Sequence, residues 1–218
     1  MGMSASSGKS FQPRGEGIPV SRSTRADLVA TLGVAVVAAA YVLIVLVFRL
    51  IEIFGVNGVT VPVQFAPVET LVPGPDSGAP VMIDEGLVVV TDLPIATFIS
   101  VLLAEVLPAV AALIVIGCAV VIFRRLWHGN AFAPGTTRLV TISSFAILGG
   151  WAASIVFGTM ASNGALAVAL GTDAPDDGSW QFAVHIDWLP FLAAMALGGL
   201  AILTRTGERL RTDSEGLI

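Results

Sequence analysis

One carboxylate lies inside a long apolar run: Glu105, in VLLAEVLPAV, three residues before Pro108. An acid held in hydrocarbon is expensive, and a chain that keeps one offers a proton carrier or a cation ligand. A proton relay needs a second titratable group within reach. No other acid, histidine or basic residue lies at depth in an apolar run. Glu105 is therefore read as structural or interfacial, contacting water or a hydroxyl near the outer edge of its segment.

The other reactive side chains are scattered. Cys118 is the single cysteine, which excludes an intramolecular disulfide and a cysteine metal cluster. His128 and His185 fall on opposite sides of the membrane in the topology derived below and cannot share a metal. Asp173, Asp176 and Asp177 lack the EF-hand spacing and its closing glutamate, which leaves a solvated turn. The sequence carries no nucleophile–base pair, phosphate-cradling glycine loop or zinc signature. No enzymatic activity, cofactor or metal is expected.

The elements that must hold these residues are apolar runs of membrane length. Of the 218 residues 55% are apolar and 12% charged, against roughly 25% charged in soluble domains. The runs cover about residues 28–48, 93–123, 139–160 and 188–203. The first, at 1.5 Å per residue, reaches roughly 30 Å, the thickness of a bilayer core. The fourth reaches only about 24 Å and needs flanking residues or local thinning. Ala38-Ala39-Ala40 resembles a signal-peptide cleavage site, but the run continues well past a signal peptide's apolar stretch. An uncleaved first helix is expected.

Charge sets the orientation. Lys9, Arg14, Arg22 and Arg25 precede the first run; Arg124, Arg125 and Arg138 lie between the second and third; Arg205, Arg209 and Arg211 follow the fourth. The loops at about 53–92 and 161–187 have no Lys or Arg and nine acids. The positive-inside rule then puts both termini and the 124–138 loop in the cytoplasm. Arg49 alone departs from the pattern. It lies at the outer end of the first run, where it can snorkel and pair with Glu52 at i+3.

The first outer loop has two valine-rich stretches, 59–65 and 86–92, around a Pro/Gly-rich centre, and so predicts two short strands. Pro62 restricts the first of them to an edge. The second loop offers another strand in WQFAVHID, with Trp180 and Trp188 suited to the headgroup interface. The fold class expected is all-α transmembrane: a four-helix bundle with a small extracytoplasmic β-containing cap built from both outer loops. Asp92-Leu93-Pro94 and Asp187-Trp188-Leu189-Pro190 share a helix-start pattern, an N-capping Asp followed by a first-turn Pro. Either an internal repeat or common helix-start chemistry produces it.

Gly150, Ser154 and Gly158 form a small-residue stripe on the third run, suited to close packing within the bundle or between protomers as a homo-oligomer. The tail after the fourth run reads as a helical extension. Glu208 and Arg211 are spaced i, i+3, Arg209 and Asp213 i, i+4, and Leu203, Leu210 and Leu217 recur every seven residues. Gly216 stands where a helix-ending glycine prefers to be. The tail is expected to dock, on the 124–138 loop or on a cytoplasmic partner.

Two cytoplasmic segments, VIFRRLWHGNAFAPGTTRLV and LTRTGERLRTDSEGLI, resemble the DUF2975 family of small bacterial four-helix membrane proteins. The middle-loop pattern, an arginine, then Gly-x-x-Phe, then a basic residue, falls on Gly129, Phe132 and Arg138. The family's closing motif falls on Gly207, Leu210, Asp213, Glu215, Gly216, Leu217 and Ile218. With the four runs the resemblance covers about residues 28–218; the proline-rich first outer loop departs from it. It implies the bacterial inner membrane and no particular activity. Because genes of the family often neighbour a small helix-turn-helix regulator, it also implies such a protein as cytoplasmic partner. The chain itself is expected to contact the lipid bilayer and no nucleic acid. The sequence thus points to a non-enzymatic sensor or regulatory membrane component, with an accessory subunit or small transporter as the alternative.

Overall fold

The computed structural model describes residues 22–55, 58–72, 79–128, 135–171, 184 and 186–215. Among them the apolar runs form four helices, α1 (Arg22–Ile53), α2 (Ile95–Trp127), α3 (Thr136–Leu170) and α4 (Leu189–Glu215). All four are long and apolar enough to cross a membrane. Their flanks expose Val36, Phe48, Phe145 and Leu203, each 66–69% accessible. Water penalises such continuous apolar surface and lipid does not. The chain has the architecture of a multi-pass membrane protein.

Each helix packs on the next in sequence: α1 on α2, α2 on α3, α3 on α4. Among the described residues these contacts make an open row with α1 at one end. Glycines set the spacing at its centre. A Cβ on Gly150 would stand 2.7 Å from the Ala111 Cβ, and one on Gly164 would collide with Thr97. The two contacts are fourteen residues apart on both helices in opposite directions, so α2 and α3 run antiparallel at one fixed offset. Ser144 Oγ donates to the Ala194 carbonyl at 2.8 Å and holds α3 to α4. Nearer the start of α4, Trp151 Nε1 donates to the Asp187 carbonyl at 2.6 Å and stacks at 5.4 Å on Phe191.

The two helix starts that look alike in sequence differ in structure. Asp187 Oδ1 accepts the Leu189 N–H at 2.9 Å and caps α4. At α2 the N-cap position is Pro94, and no side chain caps it. Pro94 precedes Ile95, the first residue of α2, whereas Pro190 follows Leu189 inside α4, so Asp92 stands three residues and Asp187 two before its helix.

The α3 helix outruns its apolar segment by a full ten residues, so the stretch 161–170 expected as loop is helical. Ala and Leu dominate that extension and favour helix, and it has a partner to bury it. Strands β1 (Val59–Val72) and β2 (Ala79–Val90) form an antiparallel hairpin, with a bulge between Gln64 and Val68. Alternation turns Val59, Val61, Val63 and Val90 inward. They bury against Ile53 of α1, Val101 of α2 and Ala161, Ala165 and Leu166 of α3. Among the described residues the cap is two strands, both from the first loop. In the second loop, Val184 and Ile186–Trp188 are in no strand, and the rest of WQFAVHID lies outside the described residues.

Candidate functional site

Under the hairpin, three elements converge on one arginine. Arg49 sits one turn before the end of α1, and Glu52 follows at i+3 on the same face. The Arg49 guanidinium donates through Nη1 to Glu52 Oε2 at 2.6 Å and through Nε to Glu105 Oε1 at 2.9 Å. Its Nη2 donates to the Thr60 carbonyl on β1 at 2.9 Å. One planar group thus ties α1, α2 and the hairpin, using the fixed fork of donors that distinguishes arginine from lysine. The side chains of Arg49 and Glu105 are 21% and 34% exposed, so the pair is neither dry nor fully solvated.

The intramembrane carboxylate therefore has an ionic partner, which corrects the expectation of water or a hydroxyl. A signal for it exists in the sequence. Arg49 is the one basic residue out of pattern and Glu105 the one acid within a run, and the two runs are consecutive. The Arg49–Glu52 pairing is as expected.

Glu105 and Arg49 line a cavity of about 150 Å³ roofed by β1 and walled by α2 and α3. Gln64, Ser154, Thr159 and Ser162 supply its other polar groups; Val61, Val101 and Ile155 supply apolar wall. Ser162 Oγ accepts the Gln64 N–H at 3.0 Å, at the bulge where the strand ladder breaks and that donor needs another acceptor. Pro108, one turn beyond Glu105, leaves the Ala104 carbonyl without its helical donor, and Ala104 also lines the cavity. Two carboxylates and one guanidinium give the node a formal charge of −1. Among the described residues no three His, Cys, Asp or Glu side chains are grouped to hold a metal. The arrangement suits binding and mechanical linkage.

The small-residue stripe divides between two roles. Gly150 is buried against α2, whereas Ser154 and Gly158 face the cavity, where a Cβ on Gly158 would meet nothing within 4 Å.

At the opposite end of α3 lies a second convergence. The helix starts after Gly135, in the left-handed region at φ 89°, with no side chain of its own capping it. Glu208 of α4 supplies the cap: its Oε1 accepts the Thr137 N–H at 2.9 Å. A carboxylate is favoured there by the helix dipole as well as by the open donor. Thr137 Oγ1 also donates to Thr204 Oγ1 at 3.2 Å, and Arg125 Nη1 to Thr136 Oγ1 at 3.3 Å. The tail is thus helical to Glu215, and its first turn contacts the start of α3. Arg138 is exposed, Gly207 half-buried, and Leu210, Asp213 and Glu215 lie on α4. Gly129, Phe132, Gly216 and Leu217 lie outside the described residues.

No protein-family model, curated protein or solved structure matches this chain.

Proposed function

We propose that the protein is a non-enzymatic sensor or regulatory component of a bacterial inner membrane. Its hairpin lies outside, both termini lie in the cytoplasm, and it acts through a cytoplasmic partner. The observation that carries this reading is the double engagement of α3. Ser162 holds the hairpin at one end, and Thr137 holds the α4 tail at the other. Twenty-five helical residues separate them, a rod of about 38 Å. A change in the hairpin cavity has a stiff element through which to reach the tail.

The arginine distribution supports the orientation. The partner surface comprises the 124–138 loop and the tail, with Gly129, Phe132, Arg138 and the Gly207–Leu217 motif as contact residues. On the DUF2975 resemblance, a small helix-turn-helix regulator is the partner proposed. One observation favours the alternative of an accessory subunit: α1 lies at one end of the row, and Val34, Val37, Tyr41 and Phe48 leave apolar faces open to a second membrane protein.

Spin labels on Arg138→Cys and Arg209→Cys in nanodiscs test the coupling. Ser162→Val, which removes the acceptor for the Gln64 N–H, is expected to shift or broaden the label distance at the far end. An unchanged distribution would remove the mechanism. Mild-detergent purification separates the two classes: a soluble DNA-binding protein supports the regulator, and co-purifying respiratory or transport subunits support the accessory role.

A further inference from the structure

Between α3 and α4, at the arginine-bearing end, lies a groove of about 300 Å³. Thr137, Thr141 and Ser144 stand at i, i+4 and i+7 along its α3 wall. Its floor includes Gly198, and Phe145 and Ile202 expose apolar surface along its flanks at 68% and 69%. Arg205 closes the end nearest the tail. From Arg205 and Thr137 the groove extends toward Ser144, about 10 Å into the apolar part of the helices. Charged head and apolar trough thus follow the profile of a phospholipid.

The Arg205 guanidinium has no hydrogen bond or ion pair among the described residues. Glu208, three residues along α4 from Arg205, commits Oε1 to the Thr137 N–H. Arg124, Arg138 and Arg209 at the same end also lack an ion pair there. Such a cluster enriches anionic lipid around it, and basic pockets between membrane helices select phosphate headgroups.

The groove hydroxyls have already spent their protons. Thr141 donates to the Thr137 carbonyl, Ser144 to the Ala194 carbonyl, and Thr137 to Thr204. Their remaining lone pairs accept, which suits a headgroup that itself donates through hydroxyls. We infer that this groove binds an anionic phospholipid with a hydroxylated headgroup, its phosphate on Arg205 and an acyl chain along Phe145 and Ile202.

Native mass spectrometry of the full chain, titrated with phosphatidylglycerol or phosphatidylethanolamine, tests this. Phosphatidylglycerol should be retained more strongly, and excess inorganic phosphate should not displace it. Arg205→Gln should weaken retention about fivefold, the effect of roughly one basic contact at a membrane surface. Gly198→Leu should do so as well, by filling the groove with no change of charge. Arg124→Gln, at the same end but outside the groove, should weaken retention less than Arg205→Gln does. Equal retention of the two lipids, displacement by phosphate, or unaltered binding in either groove variant would overturn the inference. So would an equal loss in Arg124→Gln and Arg205→Gln.

Discussion

Arg49 Nε donates to Glu105 Oε1 at 2.9 Å across 56 residues, which makes the two lone charges of consecutive apolar runs a single ion pair. With Glu52 and the Thr60 carbonyl on the same guanidinium, the pair joins two helices to the hairpin. Its value lies between the roughly 0–1 kcal/mol of an exposed pair and the 3–5 kcal/mol lost when a buried one is broken.

The partners should differ on mutation. Glu105→Gln keeps an acceptor for Arg49 and loses only charge, so insertion and folding should survive with a loss of about 1 kcal/mol, a Tm drop of roughly 2–4 °C. Arg49→Ala strands two carboxylates and a carbonyl and should cost at least twice as much. Thermal unfolding in detergent measures both. Equal losses would mean that the arginine does not hold three elements together.

Glycines in the small-residue stripe should separate by position. Gly150→Ala drives a methyl to within 2.7 Å of Ala111 and should cost about 1–3 kcal/mol. Gly158→Ala enters open space and should be near neutral. The same unfolding assay decides, and comparable losses would place both glycines in tight contacts.

The difference between these two glycines was not legible in the sequence, and the reason is general. Run length and charge bias are properties of single segments, so the four helices and the Arg49–Glu52 pair could be read directly. Contacts between segments depend on axial offset. Whether Glu105 reaches Arg49, or Gly150 rather than Gly158 meets α2, is decided by how helices slide past one another. The α3 extension beyond Met160 is not legible because Ser162, Asn163 and Gly164 interrupt the apolar run, and only the valine-faced hairpin gives the Ala and Leu around them something to bury against. Thr137 and Ser162 gave no signal: a hydroxyl acquires its role from the backbone donor or side chain placed against it.

Topology is checked by cysteine accessibility in a Cys118→Ala background. Thr136, in the arginine-bearing connection, is 4% exposed, and failure to label there would report burial. Thr206 is exposed and serves instead, with Glu85 on the hairpin as the outer probe. An impermeant maleimide should label Glu85→Cys in intact cells and Thr206→Cys only after permeabilisation. The reverse pattern would invert the orientation.

Truncation of the tail must respect the α3 cap. Removing residues 207–218 deletes Glu208 together with the closing motif, and any defect would mix an uncapped helix with a lost docking surface. Two variants separate these effects. Glu208→Ala keeps the tail and uncovers the Thr137 N–H; as the loss of an N-cap it should cost about 0.5–2 kcal/mol and loosen α4 from α3. Termination after Arg209 keeps the cap and removes Leu210 to Ile218, so stability should remain within about 0.5 kcal/mol of the full chain. If the motif contacts a cytoplasmic partner, the truncated protein should insert normally yet lose that partner on purification, whereas Glu208→Ala should retain it. Retention of every interaction by the chain ending at Arg209 would confine the tail's docking to the α3 start.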